Sequence, residues 1–273
     1  MSGRTNDVCG IAGYSLSAES GVDRRLVAQT LLAAIAERGS DAVGYCCRGD
    51  HLPLAIHKQR TGASALLESV TIPAEASDVL LHVRDYTKGH PSLAANNHPI
   101  RHGSVVGVHN GIIVNDEEVF ARHGFERAEP GMTVDSEAIF ALVESEGASG
   151  AVLEELYGSM AAAWIDERLP GRVFLARGIG RPLWLGEGEH EVVFASTEEG
   201  LALVESYGRV RLRRREIAEA SLVTVAAGRV LRLERFRPDR SFTEEPLPSV
   251  RAPEERHFCL SRLAAIALAA GVP

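Results

Sequence analysis

Apolar and polar positions alternate along this chain in two different rhythms. The run "VCGIAGYSL" (8–16) is short, apolar and glycine-containing, which predicts a buried strand. In "VDRRLVAQTLLAAIAER" (22–38) apolar side chains fall at Val22, Leu26, Val27, Ala34 and Ile35. That is helical spacing, and Gly39 ends it. "AVGYCCR" and "LPLAIHKQ" predict a strand pair around the turn "GD". "DVLLHVR" (78–84) and "SVVGVHNG" (104–111) predict strands whose ends carry polar residues. "DSEAIFALVES" (135–145) predicts a helix, and a second is expected over 149–157. From Gly158 the pattern changes to short strands joined by tight turns: "SMAAAWID" into "RVFLAR", "PLWLG" into "EVVFAS", "SLVTVA" into "RVLRLE". Strands joined by two to five residues are antiparallel. The helices cluster and do not follow every strand, so the expected class is α+β, an antiparallel sheet core with packed helices. A Pro-rich stretch (237–255) reads as a linker, and the remaining segment as a short helix with an apolar side.

Composition narrows the partners. The 273 residues carry a formal charge of −8, which argues against a general nucleic-acid binder. "RVRLRRRE" (209–216) is locally basic and reads as a solvated strand. No apolar run reaches the roughly 20 residues that span a bilayer, and the polar N-terminus is no signal peptide. Four cysteines, two of them adjacent, make no disulfide framework and point to a reducing, cytoplasmic compartment. His98 and His102 are four apart, but Pro99 between them argues against a helical metal face, and no metal is expected.

Several polar residues sit where strands end. Cys9 opens the first strand, where a cysteine is either an inert small hydrophobe or a nucleophile. Arg84 and Thr87 follow a strand and can leave the sheet to meet a ligand. Asn110 and Gly111 offer a side-chain amide beside a close backbone N–H, an oxyanion hole, or else a plain Asn-Gly turn. Asp135 is either a binding carboxylate or a helix N-cap.

Taken together these segments resemble the class II glutamine amidotransferase domain, one of the N-terminal-nucleophile hydrolases. Five match in order: "CGIAGY" (9–14), "ERGSDAVGY" (37–45), "HVRDYTKGHPSLAANNHP" (82–99), "VHNGIIVND" (108–116) and "VDSEAI" (134–139). "LARGIGRPLWLG" (175–186) adds a sixth, so the likeness covers about 9–235, with residues 236–273 as linker and terminal helix. It is similar to the glutaminase halves of glucosamine-6-phosphate synthase and amidophosphoribosyltransferase. The resemblance implies a four-layer αββα sandwich of two antiparallel sheets. It implies that Cys9 is the nucleophile and that its own α-amino group takes the thiol proton. Free in solution those groups have pKa values of about 7.8 and about 8.5, so transfer costs little. The thiolate then attacks the glutamine side-chain amide, giving a thioester and ammonia, and water releases glutamate. No cofactor is implied. Asn110 and the Gly111 N–H would form the oxyanion hole, Arg84 would pair with the substrate α-carboxylate, Asp135 would hold the α-ammonium, and Thr87 would line the pocket. Arg38, Gly39, Asp41 and His109 would support the site, Asp41 alternatively capping a turn. Two positions depart from the family: Asp85, where an aromatic residue is common, and Lys88, where histidine is.

Residues 1–8 precede Cys9, and a peptide nitrogen is no base. Either the leader is a propeptide cleaved before Cys9, or Val8 is a GTG start codon and the leader an artefact of gene assignment. The expected function is release of ammonia from glutamine for a separate synthetase or acceptor-binding partner. The alternatives are hydrolysis of another γ-glutamyl or amide bond, and a non-catalytic amino-acid-binding regulator. The terminal helix either docks the partner or packs on its own domain.

Overall fold

Along residues 10–16, Ala12, Tyr14 and Leu16 face one apolar layer and Ile11 faces another, and all are buried. Residues 160–165 do the same: Met160, Ala162 and Trp164 to one side, Ala161, Ala163 and Ile165 to the other. Strands apolar on both faces need cover on both faces. The computed structural model, which describes residues 9–243 and 250–272, meets that need with four layers. The leader expected at 1–8 and positions 244–249 of the linker lie outside the described residues.

In chain order the elements are β1 (Gly10–Leu16), α1 (Arg24–Ile35), β2 (Ala42–Gly49), β3 (Leu52–Gln59), α2 (Ala63–Leu66), β4 (Asp78–Arg84), β5 (Ile100–His102), β6 (Val105–Ile113), α3 (Asp116–His123), α4 (Glu137–Glu146), α5 (Gly150–Leu153), β7 (Gly158–Asp166), β8 (Arg172–Arg177), β9 (Trp184–Glu187), β10 (Glu191–Ala195), α6 (Glu198–Gly208), β11 (Arg213–Glu216), β12 (Ser221–Ala226), β13 (Arg229–Arg235) and α7 (Pro253–Ala269). A seven-stranded sheet runs β11-β9-β10-β1-β4-β2-β3, and a six-stranded sheet runs β13-β12-β8-β7-β6-β5. All pairings are antiparallel. One apolar layer lies between α1, α6, α7 and the larger sheet. A second lies between the two sheets, and a third between the smaller sheet and α3, α4. This is the αββα sandwich.

Local chemistry sets the element ends. Asp23 caps α1, its carboxylate accepting from Leu26 N at 2.9 Å. The helix expected over 149–157 is only α5, because Asn115 captures the chain beyond it. Its side chain donates to Glu155 O and accepts from Tyr157 N. Three helices were not foreseen: α2 is a single turn of four residues, and the other two carried readable signals. Acidic Asp116, Glu117 and Glu118 open α3 and Gly124, with φ +65°, ends it. Thr197 caps α6, accepting from Gly200 N. The basic stretch forms edge strand β11, and its arginines pair with Glu187 and Glu205.

α7 has 17 residues, longer than the short helix expected, and starts at Pro253, a residue suited to the first helical turn. Cys259, Leu263 and Ala267 are buried in the layer shared with α1, so this helix packs on its own domain. Leu263→Ala is therefore expected to lower the unfolding free energy by about 3 kcal/mol in a denaturant titration. Leu268→Ala, at a side chain 71% exposed, is expected to change it by under about 0.5 kcal/mol. Equal effects would mean that α7 is not part of the cooperative core.

Candidate active site

The register of three strands places one end of the larger sheet against the smaller one. Gly10 pairs with Val83 and Ala42 with Arg84, so the start of β1, the end of β4 and the start of β2 share an edge. Facing them, β6 carries His109, Asn110 and Gly111, and α4 begins nearby. A small, partly open cavity is lined by Cys9, Arg84, Asp85, Thr87, Lys88, His98, His109, Gly111 and Asp135, among others.

Cys9 is half-buried, just before β1. Its thiol donates to Asp85 O at 3.3 Å, and its own carbonyl accepts from Arg38 Nε at 3.0 Å. Burial pushes the thiol up to about 11, with the Arg84 charge pulling the other way. Proton transfer from this thiol to an amine is therefore less easy than the free-solution values imply. Arg38 is itself buried, which lowers it to about 10 while the Cys9 charge raises it.

The segment 38–41 wraps the end of β4. A Cβ on Gly39 would lie 2.4 Å from the Arg84 carbonyl, so only glycine allows this approach. Asp41 N donates to Arg84 O at 2.9 Å, and its carboxylate accepts from Tyr86 N at 3.0 Å. Asp41 thus caps the loop that leaves β4.

Arg84 is 2% exposed. Its guanidinium donates to Asn97 Oδ1 at 2.6 Å, to Lys88 O at 2.8 Å and to Gly89 O. These bonds use three of its five donors and tie the loop 85–90 to the cavity. Burial lowers its pKa, while Cys9 and Asp135 act to raise it. Thr87 is exposed at the cavity rim.

Asn110 and Gly111 lie inside β6 and not at a turn, which removes the simpler reading of "HNG". Gly111 has φ +141°, and a Cβ there would lie 2.0 Å from Ser159 O. Asn110 is fully buried, and among the described residues neither atom of its amide has a hydrogen-bond partner. A buried amide left this way is costly unless something else comes to meet it.

Asp135 does not cap α4, where Ser136 holds the cap position. Its carboxylate instead accepts from Ile113 N at 2.7 Å, bridging the segment before α4 to β6. Burial pushes it up to about 6, the Ile113 bond acting oppositely. His109 Nδ1 lies 2.8 Å from Ser136 Oγ, and Nε2 lies 3.4 Å from Ser159 O. The carbonyl can only accept, so Nε2 carries the proton and Nδ1 accepts from the serine. Burial lowers His109 to about 3, so the ring is neutral.

Four further residues were quoted in the sequence without a role. Asn97 Nδ2 donates to Pro91 O while its carbonyl takes Arg84. Asn96 Oδ1 accepts from Thr133 N and Val134 N, placing the chain just before Asp135. His98 lines the cavity and stacks on His82 with centroids 4.1 Å apart. His82 Nε2 donates to His109 O at 3.1 Å, joining the two sheets. His102 instead pairs with Glu137, so His98 and His102 serve different elements.

Residues 83–202 match the model of a family described as "Glutamine amidotransferase domain". That range holds Arg84, Thr87, Asn110, Gly111 and Asp135. This chain carries a glutamine amidotransferase domain. The domain is 30% identical, over 80% of this chain, to 36% of a glutamine–fructose-6-phosphate aminotransferase from Vibrio vulnificus. It is 33% identical, over 58% of this chain, to 28% of the enzyme of that name from Methanothermobacter thermautotrophicus. Among solved structures, the domain is similar to the glutamine phosphoribosylpyrophosphate amidotransferase of B. subtilis. The TM-score is 0.64 at 18% identity, over 84% of this chain and 49% of that one. This chain spans about a third of the length of the curated relatives it matches.

An Asp135→Asn domain tests the buried carboxylate. The folded pKa of Asp135 stands above its ordinary value of 3.8, so its ionisation costs stability as pH rises from there through about 6. Asn keeps an acceptor for Ile113 N without the charge. At pH 7 thermal melting is expected to find Asp135→Asn at least as stable as the native chain. A clear drop in melting temperature would mean that the charge itself holds the fold.

Proposed function

We propose that the domain hydrolyses the side-chain amide of glutamine through a thioester on Cys9. The observation that carries this reading is one small cavity that joins a thiol, a buried guanidinium, a buried carboxylate and a backbone forced open at Gly111. The charged ends of an amino acid suit Arg84 and Asp135, the carboxylate on one and the ammonium on the other. Thr87 lines the rim beside them. The Asn110 amide and the Gly111 N–H receive the oxyanion as the amide carbon becomes tetrahedral. A neutral buried amide with no protein partner is a donor whose bond is made only during the reaction, which is where it accelerates chemistry.

The base is the Cys9 α-amino group. While Cys9 is peptide-linked to Val8 its nitrogen cannot take a proton, and a thiol held at about 11 stays protonated at neutral pH. Activity therefore begins when that nitrogen is freed, and the peptide-linked chain binds the amino acid without turning it over. The ammonia passes to an acceptor-binding partner. The curated relatives carry fructose-6-phosphate in their names and the solved one phosphoribosylpyrophosphate.

A chain beginning at Cys9 is expected to release equimolar glutamate and ammonia from glutamine, and a chain retaining Val8 to release neither. Turnover by the chain retaining Val8, or by Cys9→Ala in the shorter chain, would remove the mechanism. Preference for another γ-glutamyl compound would move the substrate and leave the mechanism. Asn110→Ala is expected to lower kcat by about 10²–10³-fold with KM little changed. Below pH of about 6 Asp135 takes up a proton and loses its hold on the ammonium. KM for glutamine should thus rise as pH falls through about 6 and stay flat above it. A KM independent of pH from 5 to 8 would take Asp135 out of the binding site.

A further inference from the structure

The two positions where this chain departs from its family each meet an opposite charge. Lys88 Nζ lies 2.7 Å from Asp116, a carboxylate that Arg127 also holds at 3.1 Å. Asp85 Oδ2 accepts from Arg251 Nε at 2.8 Å. Arg251 belongs to the segment that leads into α7, 166 residues away in sequence.

That segment is docked by its backbone. Arg251 N and Ala252 N both donate to Glu37 O, at 2.7 and 2.9 Å. Arg256 pairs with the Glu37 carboxylate at 2.9 Å. Glu37 precedes Arg38, which holds the Cys9 carbonyl, and Asp85 supplies the carbonyl that takes the Cys9 thiol. The C-terminal segment thus grips both neighbours of the cysteine, one through main chain and one through an ion pair.

We propose that Arg251 is a positioning residue for the Cys9 thiol, acting through Asp85. This rests on the reading of Cys9 as nucleophile. Two bonds separate the Asp85 carboxylate from its own Cα, so fixing the carboxylate fixes the peptide whose oxygen orients the thiol. The guanidinium also neutralises an anion close to the sulfur. Around Cys9 stand the cations Arg84 and Arg38 and the anions Asp85 and Asp135, and leaving Asp85 unpaired would add an uncompensated negative charge beside the sulfur. The pair is mostly out of solvent, at 26% and 17% side-chain exposure, so salt screens it less than a surface pair. Because the segment is held by main-chain bonds, Arg251→Ala removes the ion pair and leaves the docking.

The test measures Cys9 alkylation by iodoacetamide at pH 7 on the full chain, read by peptide mass, since Cys46, Cys47 and Cys259 are buried. It also measures kcat and KM for glutamine on the chain beginning at Cys9. Arg251→Ala is expected to slow alkylation and lower kcat by about tenfold each, with KM within about twofold and an unchanged melting temperature. Arg251→Lys should recover most of the loss, and in an Asp85→Ala background Arg251→Ala should add nothing. Native alkylation and kcat in Arg251→Ala overturn the proposal. So does a loss that tracks melting temperature, or one that persists undiminished in the Asp85→Ala background. If the chain beginning at Cys9 turns over no glutamine, the glutaminase reading fails, and alkylation alone still decides whether Arg251 sets the thiol.

Discussion

A guanidinium buried at the end of a two-sheet sandwich is the constraint on which the site depends. Arg84 is 2% exposed at the end of β4. A charge so placed is tolerated only if its donors are met and opposite charges lie near. Its donors go to Asn97, Lys88 and Gly89, and the opposite charge comes from Asp135 and Asp41. Each of those contacts shapes the cavity. The loop 85–90 is folded by the bonds that satisfy Arg84, and its first residue then receives the Cys9 thiol. Gly39 exists to let segment 38–41 pass over the Arg84 carbonyl.

The opposite wall is set by backbone strain and by neutral histidines. Gly111 occupies a conformation open to glycine, with Ser159 O where a Cβ would stand. The His82 ring joins the two sheets through the His109 carbonyl, the His109 ring holds Ser136 and Ser159, and burial keeps both rings uncharged, at about 3. Neutral rings add no cation beside Arg84. Lys88, the other cation of the lining, is paired with Asp116, so Arg84 is the buried positive charge that faces the cavity.

Much of the architecture was legible because its signals are local. A helix whose final turn stops at Gly39, strands at 78–84 and 159–166, and an antiparallel second half follow from periodicity and turn residues. α3 and α6 escaped because neither has a wide apolar stripe. Their evidence lies in caps and charged first turns, which are weaker than periodicity. The candidate residues were legible as a set, through the order of their motifs. The parts played by Asn96, Asn97, His82 and His98 were not legible, since their partners lie on other elements.

The sequence by itself determined most of the element types, the antiparallel strand core and the roster of polar residues near strand ends, because these depend on neighbours within a few positions; the division into two sheets came from the family resemblance. Tertiary structure decided which of two readings each residue took. Asn110 and Gly111 are strand and not turn because β7 pairs with them. Asp135 bridges to Ile113 and does not cap because β6 brings an N–H within 2.7 Å. The thiol is raised because residues from several elements close around it in the cavity and desolvate its charged form. The union of Asp85 with Arg251 needed α7 to settle on α1. Burial and long-range hydrogen bonds are properties of the folded surface, and no window of sequence contains them.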